Sequence, residues 1–408
     1  MPSSIVVAFL GALEASASVL LTIFYGGIAA YFGLISNKSS IDISRLAVNL
    51  FLPCLLFVNL GSDIGLSDIH RFTPIIVWSL AYNLIALFLG SILTRMFKLP
   101  RFVTSAVTFN NTTSLPLLLL QSFGESGALS SISGGDTKAA ISRAQAYFLL
   151  NASISNILTF SLGPRLMSKV NDGPTEEGDE DVSIVEGGRE MSPNQTGPEG
   201  DGGERVPLLA KRTQVRATNW ARLTGHFLLQ FWNPTFIGAC IGIFAGLVPV
   251  LHHHFFDQGG IFLAWLTVSL KNLGNLFASL QVVVVGVKLH STFAKIRQGE
   301  GSGSLPIFTT ACILVIRFII MPAISIPIIY ALAAKTRLLA DDPILWFCMM
   351  MMPVGPTALR LTSLADVSKA DESEKMTVAK FLALSYFFTP MICLAAVGSL
   401  KATELAGA

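Results

Sequence analysis

Residues 108–123 read TFNNTTSLPLLLLQSF, and this stretch decides how the rest of the chain is interpreted. A run of polar side chains precedes Pro116: Asn110, Asn111, Thr112, Thr113 and Ser114. A bilayer core holds no water to satisfy the backbone groups that a proline frees. The pattern therefore indicates a broken helix that lines a cavity. A kinked helix whose Asn and Thr side chains only bond neighbouring helices is the alternative.

The composition is that of a polytopic membrane protein. Of the 408 residues, 52% are hydrophobic and only 13% are charged, whereas about a quarter of the residues are charged in soluble domains. No basic cluster interleaved with aromatic residues suggests nucleic acid as a partner. The five cysteines have neither metal-ligand nor disulfide spacing, so no metal and no cofactor is expected. Without a phosphate loop or a nucleophile–base motif, an enzyme is not expected either.

Apolar stretches predict ten membrane spans, each near the length of about 20 residues that crossing requires. They lie at about 7–34, 42–61, 72–96, 101–121, 143–167, 225–250, 261–289, 305–333, 343–365 and 376–400. Residues 168–222 are rich in Asp, Glu, Gly, Pro and Ser, and cannot bury enough apolar area to fold alone. We therefore predict an all-α membrane protein in which a disordered acidic linker separates a first five-helix repeat, 1–167, from a second, 223–408.

The distribution of Lys and Arg predicts the orientation, because cytosolic loops carry an excess of these residues. If the N-terminus is luminal or extracellular, 20 of the 28 Lys and Arg residues fall on the cytosolic side. We therefore expect both termini outside the cytosol and the linker inside it. Within the linker, residues 204–209 read ERVPLL. This acidic dileucine pattern predicts a trafficking adaptor at Glu204–Leu209.

Two halves with five spans each must have opposite orientations, which is the condition for an inverted repeat. The counterpart of span 4 is span 9, where residues 348–363 read CMMMMPVGPTALRLTS. Both spans are thus interrupted by proline at their centres. Interrupted spans in corresponding positions of two halves are the sequence signature of a midplane transporter site.

The candidate substrate-binding residues lie mostly at these two interruptions: Asn110, Asn111, Thr112, Ser114, Pro116, Pro353, Gly355, Pro356 and Thr357. The N-termini of broken helices offer free N–H groups and a positive partial charge, which suit a carboxylate. Span 5 adds Gln145 and Asn151, and Asn151 shares a helix face with Tyr147. Hydrogen bonding between helices is the alternative role for all of these polar side chains.

Three ionisable residues lie within apolar spans: Glu14, Lys271 and Arg317. Such residues are costly in a membrane and are candidates for coupling or for a structural charge. A position near the interface for Glu14, or snorkelling and pairing for the two basic residues, is the alternative.

Four stretches together resemble the auxin efflux carrier superfamily, and particularly its PIN-LIKES branch and fungal relatives. They are NLFLPCLLFVNLG at 49–61, FNNTTSLPLLLLQSF at 109–123, FWNPTFIGACIG at 231–242 and the proline-broken span 9. The resemblance covers both membrane halves and leaves out the linker. Span 9 departs further from the plant pattern than the other three.

The resemblance implies two inverted repeats whose helices 4 and 9 are unwound where they cross, with the substrate beside the crossing. It also implies an elevator mechanism in which spans 3–5 and 8–10 move against spans 1, 2, 6 and 7. In the family an Asn of the broken fourth helix binds the carboxylate of indole-3-acetate, and Asn110 or Asn111 matches that place. The matching Asn of helix 9 is replaced here by Gly355 and Thr357.

We therefore expect a carrier of a small organic anion, auxin-like or another amphipathic carboxylate, in the endoplasmic reticulum. The plasma membrane and endolysosomal membranes are second choices for its location. The sequence leaves open whether the chain forms a homodimer. Two other functions stay open: a non-transporting membrane scaffold that acts through the linker, and an ion-coupled symporter of the bile-acid-carrier type.

Overall fold

Four of the predicted spans, 4, 6, 9 and 10, are each split into a pair of shorter helices, while the other spans contain long helices. The computed structural model describes residues 4–63, 69–167, 234–298, 306–367 and 372–407, and these ranges contain helices but no strand. The first half comprises α1 (Ser4–Tyr31), α2 (Asn37–Asp63), α3 (Ile69–Met96), α4 (Phe102–Thr108), α5 (Ser114–Glu125) and α6 (Thr137–Met167). The second half comprises α7 (Pro234–Leu247), α8 (Pro249–Phe256), α9 (Val268–Arg297), α10 (Ile307–Lys335), α11 (Pro343–Met351), α12 (Leu361–Val367), α13 (Glu372–Phe387) and α14 (Ile392–Ala406).

In the described ranges, six helices are long and apolar enough to cross a membrane, and two bent pairs raise the number to eight. The bent pairs are α7 with α8, at 106°, and α13 with α14, at 48°. Helices α4 and α11, with 7 and 9 residues, extend only about 1.5 Å per residue. Neither can cross a hydrocarbon core of about 30 Å alone. A count of ten spans therefore requires that each broken pair, α4 with α5 and α11 with α12, forms one span.

The two interruptions meet each other. Helix α4 ends at Thr108, and an antiparallel bridge then joins Asn110 to Thr357. In the second interruption Gly355 has a φ of +123°, a backbone region that is essentially restricted to glycine. We call residues 109–113 and 352–360 together the crossing.

Local proline chemistry explains the irregular turns in two of the long helices. A proline ring clashes with the carbonyl group four residues earlier in a regular helix. For Pro53 and Pro322 that residue falls in the π-helical turns Ala47–Phe51 and Ile316–Ile320, respectively. The wider turn accommodates the ring, and the second of these turns contains Arg317. Such π-bulges occur frequently at functional sites.

Glycines allow very close packing between the two halves. A Cβ atom at Gly286 of α9 would lie 1.9 Å from the carbonyl oxygen of Ile23 in α1, and one at Gly26 would lie 2.1 Å from that of Val283. Helix α7 likewise approaches α2, because a Cβ atom at Gly238 would lie 2.7 Å from a backbone atom. Small residues at helix interfaces permit such backbone contact inside membranes.

The bends in spans 6 and 10 differ from the continuous helices that the apolar pattern predicts. In span 6, Val248 is extended, with φ −90° and ψ 109°, because the residue before a proline is pushed out of the helical region. In span 10, a short 3₁₀ turn, Thr389–Met391, contains Pro390. The predicted linker at 168–222 and its dileucine pattern lie outside the described residues.

Candidate substrate site at the helix crossing

The backbone of the crossing is held by hydrogen bonds between the two halves. The N–H of Asn111 donates to the carbonyl oxygen of Pro356 at 2.9 Å, and the N–H of Ala358 donates to that of Phe109 at 2.9 Å. The chain therefore satisfies backbone groups that a broken helix would otherwise leave unpaired in the membrane.

Side chains satisfy further carbonyl groups at the ends of the broken helices. Asn110 Nδ2 donates to the carbonyl oxygen of Met352 at 2.8 Å, and Thr357 Oγ1 donates to that of Ala106 at 2.8 Å. Backbone carbonyl groups in the last turn of α11 accept hydrogen bonds from Trp78 of α3 and from Ser325 of α10. The two broken spans and their neighbours are thus joined into one bonded unit.

Arg317 supplies a positive charge to this unit from α10. Its side chain is 0% exposed. Nη1 donates to the carbonyl oxygen of Val107, in the last turn of α4, at 3.0 Å, and Nε donates to that of Gly355 at 3.2 Å. Carbonyl ends of helices carry negative partial charge, so the guanidinium group stabilises both broken segments at once.

A cavity of about 80 Å³ adjoins the crossing. Its wall is formed by residues of the crossing and of α2, α5, α6 and α9, and we call it the crossing cavity. These residues are Ser44, Val48, Asn110, Asn111, Thr112, Thr113, Ser114, Asn156, Thr159, Phe277, Gln281, Val284, Lys288, Ala358, Leu359 and Arg360. The wall therefore combines many amide and hydroxyl groups with a small apolar surface, and is more polar than the mostly apolar lining of a typical small-molecule site.

Two basic side chains line the crossing cavity. Lys288 of α9 and Arg360 line it, and none of the described residues in its wall is Asp or Glu. Arg360 Nη1 donates to Asn156 Oδ1, which fixes the direction of the guanidinium group. Helix α5 also begins at the wall, at Ser114, and the first N–H groups of a helix favour anions.

Asn110 and Asn111 have different surroundings although both line the crossing cavity. Asn110 donates to backbone carbonyls of the second half, while its Oδ1 is buried and has no hydrogen-bond partner among the described residues. Asn111 Nδ2 donates to hydroxyl oxygens of Tyr386 and Ser114, at 2.9 and 3.1 Å. A carboxylate can replace such hydroxyl acceptors without breaking the backbone crossing, so Asn111 is the better placed of the two to bind a ligand.

Several of the predicted site residues lie outside the wall of the crossing cavity. Gln145 Oε1 accepts from Asn59 Nδ2 at 3.5 Å, and Asn151 accepts from Ser79 and Tyr82 in a buried network between α3 and α6. Pro116 faces a separate apolar cavity beside α11. Pro353, Gly355, Pro356 and Thr357 belong to the crossing itself. The structure thus brings together Asn110 through Ser114 and separates Gln145 and Asn151 from them.

Of the three charged residues predicted inside spans, only Arg317 is buried. Glu14 on α1 and Lys271 on α9 are exposed at the helix surface, which fits the interfacial or snorkelling alternative for them. Among the described residues, no group of three or more His, Cys, Asp or Glu side chains is placed to hold a metal ion.

Sequence reasoning missed Lys288, Arg360, Phe277 and Gln281 as wall residues. The predicted orientation counts both cations among the 20 Lys and Arg residues of the cytosolic side. A signal for Arg360 exists in the sequence, since it follows Pro356 by four residues within an apolar span. For Lys288, the helical period gives a position along α9 but does not indicate which neighbouring helix it faces.

Comparison with known proteins identifies the family of the chain. The family described as membrane transport protein matches residues 12–392. An uncharacterized transporter of Schizosaccharomyces pombe is 24% identical over 93% of this chain and 92% of its own length. Protein PIN-LIKES 6 of Arabidopsis thaliana is 21% identical over 86% and 84%, and an uncharacterized transporter of Saccharomyces cerevisiae is 22% identical over 88% of each chain. The chain is an integral membrane transporter that belongs to the membrane transport protein family, the auxin efflux carrier superfamily that its motifs resemble.

Proposed function

We propose that this transporter carries a small organic anion, bound in the crossing cavity beside the broken spans 4 and 9. The observation that carries the proposal is the wall of this cavity, which contains two cations and many neutral donors but no carboxylate among its described residues. Preorganised donors of this kind bind carboxylates by charge-assisted hydrogen bonds. An auxin-like acid or another amphipathic carboxylate is the substrate class that the family resemblance suggests.

We further propose an elevator-type mechanism within a fold of ten spans arranged as two inverted repeats. Three features support it. The broken spans 4 and 9 are bonded to α3 and α10 as one unit, while glycine contacts pack α1 and α2 against α9 and α7 as another. The crossing cavity takes wall residues from each of these units, Asn111 from the first and Phe277 from the second. Sliding of one unit along the other would carry the bound anion without breaking the crossing.

The orientation predicted from Lys and Arg places the linker in the cytosol and the termini in the lumen or outside the cell. We propose the endoplasmic reticulum as the membrane, in keeping with the PIN-LIKES branch. Glycosylation of Asn194, a sequon within the linker, is the measurement that tests this orientation. A glycan there would contradict it.

Flux through purified protein in liposomes tests the proposed function. A panel of labelled organic acids is offered, and uptake by Asn111→Ala and Arg360→Gln is compared with uptake by wild type. We expect saturable uptake of at least one acid that both substitutions reduce. Asn275→Ala is the matched control, because Asn275 is exposed on α9 and lies outside the cavity wall. Absence of uptake and of binding for every acid in the panel would refute the proposal.

A further inference from the structure

We infer that four polar side chains of α2 and α6 close the substrate path on the side of the membrane opposite the linker. We call these residues, Asn59, Asp63, Ser142 and Gln145, the latch. The inference rests on the proposed elevator mechanism and adds to it a contact that has to open in each transport cycle. It also gives Gln145 a role other than the substrate binding predicted from the sequence.

The latch joins the two units that the elevator mechanism moves against each other. Asn59 Nδ2 of α2 donates to Gln145 Oε1 of α6 at 3.5 Å, and Ser142 Oγ of α6 donates to Asp63 Oδ2 of α2 at 3.1 Å. Helix α2 belongs to the unit that glycine contacts pack together with α1, α7 and α9. Both hydrogen bonds therefore have to break if α6 slides along α2.

Helix α6 belongs to the other unit, because shorter hydrogen bonds join it to α3 and to the residue before α11. Asn151 Oδ1 accepts from Ser79 Oγ at 2.7 Å, and Tyr147 donates to Asp342 at 2.7 Å. These four residues are all buried, whereas the latch residues of α6 are only half-buried. Water can replace the partners of half-buried groups, so opening such a hydrogen bond has a small net cost. The latch is therefore suited to repeated opening.

The latch and the crossing cavity lie at opposite ends of one helix face. Spacings of three and four residues, which place side chains on the same side of a helix, connect a series on α6: Ser142, Gln145, Leu149, Ala152, Asn156 and Thr159. The last two of these line the crossing cavity, and the two in the middle are buried. The path along this face is thus closed at the latch and hollow at the end nearer the linker.

Helix α2 has the same arrangement in the opposite chain direction. Its cavity residues, Ser44 and Val48, lie near its start, and its latch residues lie near its end. Residues 48 and 59 of α2 are 11 positions apart, as are residues 145 and 156 of α6. At 1.5 Å per residue, each interval spans about 16 Å. The two antiparallel helices therefore meet at the latch and separate around the cavity.

Accessibility of the crossing cavity tests the latch without requiring transport. Thr112→Cys in the full-length chain places a thiol in the cavity wall. A membrane-impermeant maleimide is added to sealed vesicles on the side opposite the linker. Ser142→Ala combined with Gln145→Ala should raise the labelling rate about fivefold or more, since the net contribution of one hydrogen bond corresponds to about a fivefold shift of an equilibrium.

Two controls accompany the labelling. Ser153→Ala is the matched variant, because the hydroxyl of Ser153 donates within α6, to the carbonyl oxygen of Leu149 at 3.0 Å. It should leave the labelling rate unchanged. The chain that keeps Thr112 measures the background from the five native cysteines.

A disulfide across the latch tests whether it has to open during transport. Asp63→Cys combined with Ser142→Cys is reconstituted in liposomes and oxidised, and the cross-link is detected by mass spectrometry. Cross-linking should abolish uptake of indole-3-acetate, or of whichever acid of the panel wild type transports, and a reductant should restore it. Each single cysteine variant, oxidised in the same way, is the control and should keep its uptake.

The outcomes separate this inference from the proposed function. An unchanged labelling rate after Ser142→Ala with Gln145→Ala refutes the latch. Full uptake by the cross-linked protein, or failure of the two introduced cysteines to cross-link, also refutes it. None of these results concerns uptake by wild type, so the proposed function stands in each case. If wild type transports no acid of the panel, the proposed function is refuted, while the labelling experiment still tests the latch.

Discussion

The side-chain amide of Asn111 donates to the hydroxyl oxygen of Tyr386 across 2.9 Å, so that helix α13 contacts the wall of the crossing cavity directly. Asn111→Ala removes a donor that a carboxylate would use. A hydrogen bond to a charged group contributes about 1.5–3 kcal/mol, so uptake should fall about tenfold or more while the amount of folded protein stays near that of wild type. Uptake in liposomes, normalised to protein content, is the measurement. Unchanged transport would remove span 4 as the binding site.

Tyr386→Phe tests the same contact from the other side. It leaves one hydrogen of the Asn111 amide without its acceptor, and an unsatisfied buried polar group costs about 1–3 kcal/mol. The unliganded protein should therefore melt at a lower temperature than wild type. A bound carboxylate supplies the missing acceptor, so the ligand should raise the melting temperature more in the variant than in wild type. Equal ligand-induced shifts would show that the ligand does not reach Asn111.

Arg317→Gln should destabilise the protein strongly, because the carbonyl groups of Val107 and Gly355 both lose their charged donor. Arg317→Lys keeps the charge but not the forked geometry, and should fall between wild type and Arg317→Gln. Thermal unfolding in detergent, followed by tryptophan fluorescence, measures the order. A melting temperature of Arg317→Gln equal to that of wild type would contradict the structural role assigned to this residue.

Transport should not depend on sodium. In coupled carriers, carbonyl groups and the C-terminal ends of half-helices coordinate the sodium ion. Here Arg317 already donates to the carbonyl groups of both broken segments. Uptake with sodium chloride should therefore equal uptake with choline chloride at the same ionic strength. A requirement for sodium would favour an ion-coupled symporter of the bile-acid-carrier type.

Gly286→Ala should lower stability by about 1–3 kcal/mol, the usual cost of overpacking. The added methyl group would lie 1.9 Å from the carbonyl oxygen of Ile23, so the backbones of α1 and α9 would have to separate. Gly27→Ala is a matched control, since its methyl group would meet nothing closer than 3.9 Å. Because alanine has the higher helix propensity, Gly27→Ala should not lower thermal stability, and a similar loss in both variants would contradict the packing role assigned to Gly286.

Part of the fold and of the site could be predicted from the sequence. The polar run at 110–114 and the prolines of span 9 locate the two interruptions, because the helix-breaking chemistry is local. The bridge between Asn110 and Thr357 follows from the pairing of span 4 with span 9, which occupy corresponding positions in the two halves. The bend between α7 and α8 at Val248 was not predicted, although Pro249 is a local signal for it. An apolar pattern indicates that a segment lies in the membrane but not in which direction its helix runs.

Other parts of the site depend on contacts between residues distant in the chain. Lys288 and Arg360 reach one cavity because α9 packs beside the crossing, and neither residue has a local sequence pattern that states this. The distinction between Asn110 and Asn111 is also tertiary, since neighbouring residues of the same type differ only in their partners. Sequence alone therefore identifies the broken segments but does not assign the roles of individual side chains within them.

The contact of Gly286 with Ile23 has a consequence for how the protein is made. Helix α1 leaves the ribosome well before α9, yet α9 carries the surface that packs against the glycine face of α1. Until α9 is made, the helices of the first half lie in the bilayer without these packing partners. The carbonyl groups that accept hydrogen bonds from Asn110 have also not yet been synthesised at that stage. The N-terminal half produced alone should accordingly be degraded, and should be rescued when the C-terminal half is supplied as a separate chain.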